Sequence, residues 1–522
     1  MGGTEALRGD KRHIVAISDV HLGTDHPCVW YQRSLHEPYL LALLEWVVDQ
    51  ADHIRELVLL GDIVDFWTYP MDEVPPTFAD IAATHPAVLG PEGAIARVLD
   101  ALDGAVTYVP GNHDQGITAD EVASIASPGG HHVRLVEEVP YLPPGPDGEA
   151  PVAFAHGHHD TLFNAPATVG PWAPLPVGYF VTRAVASRWQ RDLDEGATVA
   201  DLADQGAPNG IDLAALTRTL GGASSRSVAG SLIDFVVGAT GVDPDAPILL
   251  PDGRTATLAE ARTHYADCWS DWSDAHGGGI VGQAAALRAA LADFDGTCLG
   301  WFAQRAALRH GADLVVMGHT HVPVGGLDAA LVDYVNTGFD CPSGPDLGRP
   351  RDPQHVTFAV VDADEATAQL WAVSRDGDGD GAATCRPIEV PTQPVTVRAG
   401  TDYSCYLVID NVAGDADLEL VSTDASNGTW VVEPPARIAA GDEGRAWLQD
   451  LVGVAGSAGS ATYRRVGSPE GHELELTFAC PTVGTNRCSG TESFATAAGN
   501  EGWRDHRIAH WGHPFFVLFE VR

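Results

Sequence analysis

Short apolar runs alternate with longer amphipathic stretches over the first 160 residues. The runs "HIVAIS", "ELVLLGD" and "AVTYVPG" are each a strand's length, and "RLVEEV" and "PVAFAHG" add two more. Between them, "LHEPYLLALLEWVVDQAD" and "PEGAIARVLDAL" have apolar residues at helical spacing, the second with a proline near its start. Alternation of this kind predicts a layered α/β domain.

The pattern changes twice further along the chain. Residues 163–300 contain helical fragments such as "GYFVTRAVASRWQRDL", which predict a mostly helical insertion. The α/β pattern then resumes with the helix "WFAQRAALRHG" and the strand "ADLVVMGH", so we expect one domain over residues 11–375. Residues 376–394 are rich in glycine and aspartate and predict a flexible linker. Residues 395–522 contain short alternating strands between turns, which predict an all-β sandwich.

Length and charge narrow the classes of function. A chain of 522 residues is long enough for two or three domains. It has 71 acidic and 30 basic residues, and Lys11 is its only lysine. A surface with a formal charge of −41 repels phosphate backbones, so we expect no nucleic-acid partner. No apolar leader or membrane-length run is visible, which predicts a cytoplasmic location.

Polar motifs follow five of the predicted strands. They are "SDVHLG" with Asp19 and His21, "GDIVD" with Asp62 and Asp65, "GNHD" with Asn112, His113 and Asp114, "AHGHHD" beginning with His156, and "GHTH" with His319 and His321. Ligands of open α/β sheets bind at the carboxyl ends of the strands. One such motif is weak evidence, since paired histidines at a strand end are more often surface or core residues. Five in order predict a common site.

The spacing within the motifs suits metal binding. In D-x-H and H-x-H, side chains two residues apart point to the same side of an extended segment. The glycines at 61, 111 and 318 would let the backbone pass close to the site without a Cβ. Carboxylate, amide and imidazole ligands suit Mn²⁺, Fe, Zn²⁺ or Co²⁺ better than a metal that prefers thiolates.

This ordered set of motifs resembles the signature of the calcineurin-like metallophosphoesterase family over about residues 13–375. The resemblance implies a four-layer α/β/β/α sandwich that holds two divalent metal ions, with manganese favoured. One metal would be held by Asp19, His21 and His321, and the other by Asn112, His156 and His319, with Asp62 bridging the two. His158 is the alternative to His156.

The same resemblance implies a reaction. A hydroxide bridging the metals would attack a phosphodiester or a pyrophosphate bond. His113 would stabilise the transition state or protonate the leaving oxygen. Either Asp65 or Asp114 would orient His113 through a carboxylate–imidazole hydrogen bond, and Asp65 is favoured.

The helical insertion begins after the fourth motif and ends before the fifth, so it is placed to cover the substrate. Trp172 and Tyr179 could line a pocket or simply pack against the core, and Arg183 and Arg188 could contact phosphate or form surface salt bridges. "SDVHLG" and "LLGDIVDFW" are most similar to the bacterial UDP-diacylglucosamine pyrophosphohydrolase branch. The insertion and the additional C-terminal domain are not expected in that branch, so its substrate is not carried over.

The C-terminal segment is similar to aegerolysin-type β-sandwiches in "YLVIDNVAGDADLELVSTDASNGTWVVEPP" and "ELELTFACPTVGTNRCSG". That resemblance implies binding to membrane lipid, and hence a lipid phosphoester as one class of substrate beside small molecules. Tryptophans 430, 447, 503 and 511 could contact lipid or fill the core, and the core is favoured for Trp430. The alternative function is an inactive scaffold whose sandwich binds lipid or another surface.

Overall fold

The structure is a computed structural model. It describes residues 5–136, 138–145, 150–199, 201, 227–276, 278–292, 296–328, 332–338, 355–375, 383–394, 402–450, 455–468, 473–492, 503–505 and 514–521. The strands up to residue 394 are β1 (His13–Ile17), β2 (Ile54–Leu60), β3 (Val106–Val109), β4 (Arg134–Leu135), β5 (Val152–Phe154), β6 (Ile248–Leu249), β7 (Thr255–Ala256), β8 (Leu314–Met317), β9 (Leu327–Asp328), β10 (Asp333–Asn336), β11 (His355–Asp362), β12 (Thr367–Arg375), β13 (Ala383–Pro387) and β14 (Gln393–Pro394).

The helices divide into those of the α/β core and those of the helical insertion. The first are α1 (Arg33–Asp49), α2 (Phe78–Thr84), α3 (Pro86–Leu89), α4 (Ala94–Ala101) and α5 (Ala119–Ala123). The insertion contributes α6 (Val177–Asp192), α7 (Val228–Thr240), α8 (Leu258–His264), α9 (Cys268–Ala275) and α10 (Gly279–Ala292), and α11 (Gly296–His310) follows it. Among the residues described, no helix has both the length and the apolar character needed to cross a bilayer.

Two sheets form the centre of the α/β domain. The larger has seven strands in the order β13-β12-β11-β1-β2-β3-β4, and the smaller has the order β10-β8-β5. β1 to β4 pair in parallel, as do the three strands of the smaller sheet. Parallel strands place their carboxyl ends at one edge, so the loops after β1, β2 and β3 meet there.

Alternation along the strands builds the layers. In β1, Val15 and Ile17 pack in a cluster with α1 and α4, while Ile14 and Ala16 face a second cluster shared with β5 and β8. The outer face of the smaller sheet packs against the insertion and α11, through residues such as Met317. This order of helices, large sheet, small sheet and helices confirms the predicted four-layer α/β/β/α sandwich.

One predicted boundary needs correction. β13 lies in the segment predicted as the linker, yet it pairs antiparallel with β12 from Trp371 to Arg375 and extends the larger sheet. Its Cys385 is buried in the core shared with α1. The sheet therefore continues beyond residue 375, because an alternating segment that borders glycine-rich sequence can still complete a sheet edge.

The C-terminal part is an all-β sandwich, as predicted. Its strands are β15 (Cys405–Asp410), β16 (Leu418–Asn427), β17 (Thr429–Val432), β18 (Arg437–Ile438), β19 (Glu443–Gln449), β20 (Ser457–Arg465), β21 (Glu473–Cys480), β22 (Arg487–Glu492), β23 (Trp503–Asp505) and β24 (Phe515–Glu520). They form two five-stranded sheets, β17-β19-β15-β24-β23 and β18-β16-β20-β21-β22. Most pairs are antiparallel, but β15 and β24 pair in parallel.

The tryptophans of the sandwich differ in their surroundings. Trp430 packs edge-on against Phe478 of the sandwich core, which confirms the favoured interpretation. Trp447 is fully buried and clusters with Leu308 of α11, so the idea that it meets a lipid interface is wrong. The side chains of Trp503 and Trp511 lie outside the described residues.

Candidate metal centre

The predicted ligands lie in tight turns directly after their strands. Among the described residues, seven non-glycine residues have positive φ, and five of them are Asp19, His21, Asp62, His319 and His321, with φ between 52° and 72°. Side chains with a Cβ rarely adopt this left-handed conformation, and it costs about 1–3 kcal/mol per residue. Strain of this kind concentrates at functional sites, where the surrounding fold holds it in place.

Close backbone approach explains the glycines in these motifs. A Cβ on Gly111 would overlap the carboxylate of Asp62, and a Cβ on Gly318 would overlap the Ser18 hydroxyl and lie 2.7 Å from Asp19 Oδ2. Both positions therefore need glycine for space. The expectation that these glycines let the backbone pass close to the site is confirmed.

The first group of candidate ligands comes from the loops after β1 and β8. Asp19, His21 and His321 have ligand atoms that all lie within 4.8 Å of one another. His21 Nε2 is 3.1 Å from His321 Nε2, and His321 Nε2 is 3.5 Å from Asp19 Oδ1. The backbone N–H of His319 donates to Asp19 at 3.0 Å, which ties the two loops together.

The second group comes from the loops after β2, β5 and β8. Asp62, His156 and His319 also have ligand atoms within 4.8 Å of one another. Asn112 joins them through its Oδ1, which lies 3.0 Å from His319 Nδ1. Asp62 also forms a group with His21 and His113, so its carboxylate adjoins the first group as well as the second.

The donors fit a borderline divalent metal. His156 Nδ1 donates to the carbonyl of Leu60 at 2.9 Å, which fixes the tautomer and leaves Nε2 with a lone pair. Nε2 is buried and has no hydrogen-bond partner among the described residues, although it lies 3.2 Å from Asp62 Oδ2. An orphaned imidazole nitrogen beside a buried carboxylate is what a metal ligand requires. His158 is also buried, but it is not a member of these groups.

Burial strongly perturbs the charges in this cluster. Burial raises the pKa of Asp19 to about 7 despite the nearby His156. Burial alone would lower the pKa of His156, but the carboxylates of Asp62 and Asp19 raise it to about 9. Burial lowers the pKa of His21, and it lowers that of His321 well below the usual value. Carboxylates so deeply buried need positive charge beside them, which a divalent cation supplies as well as a proton does.

His113 is positioned by one carboxylate, and that carboxylate is Asp65. Asp65 Oδ1 lies 2.9 Å from His113 Nδ1 and also accepts the backbone N–H of Trp67 at 2.7 Å. Burial alone would lower the pKa of His113, but the charges of Asp65 and Asp62 outweigh it and raise the pKa. The backbone N–H of His113 donates to Asp62 Oδ1 at 2.7 Å, which places the ring beside the candidate metal site.

Asp114 has a different role from the one considered for it. Its carboxylate accepts the backbone N–H groups of Gly111 at 2.6 Å and Ile63 at 2.8 Å, and also the Tyr108 hydroxyl. These bonds join the loops after β2 and β3. Asp114 therefore braces the loop that carries Asn112, and the idea that it orients His113 is wrong because its oxygens are directed elsewhere.

Two residues beside the motifs were missed by sequence reasoning. Trp67 stacks on the His113 ring, with centroids 4.5 Å apart and planes 28° apart. The hydroxyl of Ser18 donates to Asp19 and contacts Thr337, which supports a candidate ligand from behind. Their only signal in the sequence is adjacency to a motif, since Trp67 lies two residues after Asp65 and Ser18 directly precedes Asp19.

The arginines proposed for phosphate contacts do not face this site. Arg183 is fully buried and donates to backbone carbonyls, including those of Tyr69 and Pro70 at 2.6 Å. Arg188 forms an ion pair with Asp192 one turn along α6. The interpretation of Arg183 as a phosphate ligand is wrong, because its donors are used to join the insertion to the core.

Comparisons with known proteins find a family model that matches the part of the chain with the candidate ligands. The sequence model of a family described as calcineurin-like phosphoesterase matches residues 12–323. No curated protein matches the chain. Among solved structures, one described as the crystal structure of the lipid-binding protein Nakanori is similar, at 13% identity over 22% of this chain and 68% of that one, with a TM-score of 0.18.

Proposed function

Because the chain belongs to the calcineurin-like phosphoesterase family, we propose that it hydrolyses a phosphodiester or pyrophosphate bond with the help of two divalent metal ions. Asp19, His21 and His321 would hold one ion, Asn112, His156 and His319 the other, and Asp62 both. The set combines carboxylate, amide and imidazole ligands without thiolate and suits Mn²⁺, Fe, Zn²⁺ or Co²⁺, of which manganese is favoured by the family resemblance.

One observation supports this proposal above the others. The carboxylate of Asp62 belongs to one group of ligand atoms within 4.8 Å of one another and lies 3.8 Å from His21 of the other, and four separate loops bring the two groups together. When bound, a pair of divalent cations lowers the pKa of water and neutralises charge on phosphate oxygens. The acidic surface, at a formal −41, favours a small-molecule or lipid phosphoester over a polynucleotide.

His113 would act on the leaving group. Its Nδ1 bonds to Asp65 at 2.9 Å, and an imidazole held in this way keeps Nε2–H as its available donor when protonated. The carboxylates of Asp65 and Asp62 raise the pKa of His113, which makes its protonated form more stable than that of a free imidazole. It could therefore donate a proton to the oxygen that leaves phosphorus, while Asp65 and the stacked Trp67 hold the ring in place.

Hydrolysis of bis-p-nitrophenyl phosphate with added Mn²⁺ tests the reaction. We expect turnover by the full chain and a loss of at least about 100-fold in kcat for His113→Ala, since general acid catalysis contributes on that scale. The control is His132→Ala, because His132 is exposed and belongs to none of the five motifs. Turnover that survives His113→Ala would contradict the assigned role.

Metal content tests the site independently of activity. We expect elemental analysis to find about two ions per chain in the wild type and a marked decrease in Asp62→Asn, since both groups share that carboxylate. Metal-loaded, folded protein without any turnover would contradict the proposal and favour the scaffold alternative.

A further inference from the structure

An apolar pocket lies beside His113. It has a volume of about 350 Å³, in the range of small-molecule sites, and His113 is part of its lining. Trp67 and Phe66, which follow Asp65 along the chain, line it next to His113. We call this cavity the apolar pocket. Its lining includes none of the seven candidate metal ligands.

The helical insertion supplies the opposite side of the apolar pocket. Trp172, Leu175, Tyr179 and Leu250 come from this part of the chain, and all except Leu175 are at most 7% exposed. These side chains pack within the insertion and against the core, where Tyr179 meets the Trp67 ring edge-on with centroids 5.7 Å apart. The pocket is therefore already formed between the core and the insertion.

The charges at the apolar pocket are compensated within the protein. Arg254 is its one lining arginine, and it donates from Nε to Asp252 Oδ2 at 2.6 Å and from Nη1 to the carbonyl of Pro171. Glu121 caps the first turn of α5 through Thr118. The lining contains two carboxylates, Glu121 and Asp252, and one arginine, whose half-exposed guanidinium pairs with Asp252, so apart from His113 its net charge is negative and it disfavours an anionic group.

The lining also provides one neutral polar contact. The amide nitrogen and oxygen of Gln115 are buried and have no hydrogen-bond partner among the described residues. A polar atom on a ligand could form hydrogen bonds with them. Without such a partner, a buried polar group left unsatisfied costs about 1–3 kcal/mol. A mostly apolar group with one uncharged polar atom fits this lining best.

We infer that the apolar pocket receives the leaving group, and that this group is an uncharged, mostly apolar alcohol rather than a second phosphate. The inference rests on the proposed function. It narrows the bond that is hydrolysed from a phosphodiester or pyrophosphate to a phosphodiester. As the bond from phosphorus to the alcohol oxygen breaks, its electron pair stays on that oxygen, which takes a proton from His113. A water molecule supplies the new oxygen on phosphorus and releases one proton, which replaces the proton that His113 gave up.

Binding to metal-free full-length protein tests the apolar pocket without catalysis. The probes are 2-naphthol and 2-naphthalenesulfonate, which share a ring and differ in charge, and fluorescence anisotropy reports their affinity. We expect 2-naphthol to bind at least about tenfold more tightly, because the pocket buries the ring while the carboxylates of Glu121 and Asp252 repel the sulfonate. Equal or tighter binding of the sulfonate would overturn the inference.

Two substitutions place the probe in this cavity. Leu175→Gln should weaken 2-naphthol binding by about fivefold to tenfold, while Leu287→Gln, on an exposed position of α10, should not change it. If Leu175→Gln does not fold, Gly116→Leu replaces it, since a Cβ on Gly116 meets nothing within 4 Å and the side chain narrows the cavity. Unchanged binding in a folded variant would contradict the assignment.

Kinetics connect the apolar pocket to the reaction. Methyl 2-naphthyl phosphate should be hydrolysed with a kcat/KM about tenfold above that of methyl phenyl phosphate, since the two leaving groups differ mainly in buried area. Leu175→Gln should reduce this ratio and Leu287→Gln should preserve it. If bis-p-nitrophenyl phosphate is hydrolysed but the ratio is near one, only the pocket inference fails. If neither diester nor bis-p-nitrophenyl phosphate reacts, the proposed function itself fails.

Discussion

Two buried arginines join the additional parts of the chain to the α/β core, and they neutralise their charge in different ways. Arg183 of α6 links the helical insertion to the loop that follows β2, and Arg305 of α11 links the core to the C-terminal sandwich. Arg183 is fully buried and Arg305 is 5% exposed. The loop that Arg183 contacts also contains Asp65 and Trp67. The helix that carries Arg305, α11, leads through β8 to His319 and His321.

Arg183 is held by backbone. It donates to the carbonyls of Tyr69 and Pro70, each at 2.6 Å, and also to those of Glu73 and Leu249. The carbonyls of Tyr69, Pro70 and Glu73 belong to the loop that begins with Asp65 and Trp67, beside His113. Because backbone dipoles rather than a carboxylate stabilise the cation, the geometry depends on the exact path of that loop.

Arg305 is held by side chains. Its guanidinium lies between two indoles, 3.4 Å from the centroid of Trp301 and 4.3 Å from that of Trp447. Its Nη2 is 3.6 Å from Asp402 Oδ1, and its Nε donates to the Tyr406 hydroxyl at 2.9 Å. The faces of the two indoles and the carboxylate of Asp402 thus stabilise the positive charge.

The difference predicts how the stabilisation by each arginine should depend on pH. A cation held by carbonyls and a tyrosine hydroxyl has no carboxylate hydrogen-bonded to it, so its contribution should depend less on pH. A cation paired with a buried carboxylate loses that partner's charge in acid. The insertion also lines the apolar pocket, so a change at Arg183 should reach the site more directly than a change at Arg305.

Replacing Arg183 should have the largest effect. Arg183→Met leaves four carbonyls without their donor, and we expect a loss of at least about 3 kcal/mol in the free energy of unfolding. Activity on bis-p-nitrophenyl phosphate should fall about tenfold, because the loop that positions Asp65 and Trp67 loses its support. Urea unfolding and steady-state kinetics measure both effects.

The matched control for this change is Arg188→Met. Arg188 is on the same helix, but its ion pair with Asp192 is about 40% exposed at each side chain, so we expect less than about 0.5 kcal/mol. Equal effects of the two substitutions would show that burial and backbone bonding do not distinguish Arg183.

Replacing Arg305 should have a smaller effect confined to the sandwich junction. Arg305→Met removes the cation that pairs with the buried Asp402 and leaves Arg288 to offset its charge in part, so we expect a cost of about 2–3 kcal/mol. The Trp301 indole still donates to Asp402 at 2.7 Å, which limits the loss. Amide hydrogen exchange should increase in β15 and leave α6 unchanged. Arg188→Met, on α6 of the insertion, is again the control.

A double-mutant cycle sharpens the interpretation of this junction. If the main cost is the unpaired carboxylate, Arg305→Met combined with Asp402→Asn should cost about 1–3 kcal/mol less than the sum of the single changes. Additive effects would mean that the indole contacts of Arg305, and not its pairing with Asp402, carry the stabilisation.

These arginines also mark the limit of what the sequence could predict. The strand-end motifs follow from local patterns, because a buried strand and its polar end lie next to each other in the chain. Arg183 and Trp447 could not be assigned in this way, since their partners lie far away in sequence, at Tyr69 and Arg305. Choosing Asp65 over Asp114 as the partner of His113 likewise depended on where each carboxylate points after folding.

The smallest expected effect is a pH dependence that separates the two junctions. Burial alone would raise the pKa of Asp402, but Arg305 and Arg288 outweigh it and hold the pKa below its ordinary value. A carboxylate with a lowered pKa in the folded state stabilises that state above about pH 4, and this contribution is lost as the pH falls through the folded pKa. The hydrogen bonds of Arg183 go to carbonyls and the Tyr179 hydroxyl, which do not titrate in this range.

We therefore expect acid to loosen the sandwich junction before the insertion. Between pH 6 and pH 3, the free-energy difference between wild type and Asp402→Asn should shrink, while that between wild type and Arg183→Met should stay constant. Urea unfolding at each pH measures the differences, and hydrogen exchange in β15 and α6 assigns them to a junction. A difference for Asp402→Asn that does not change with pH would mean that the carboxylate is neutral throughout. The two arginines would then differ in packing alone.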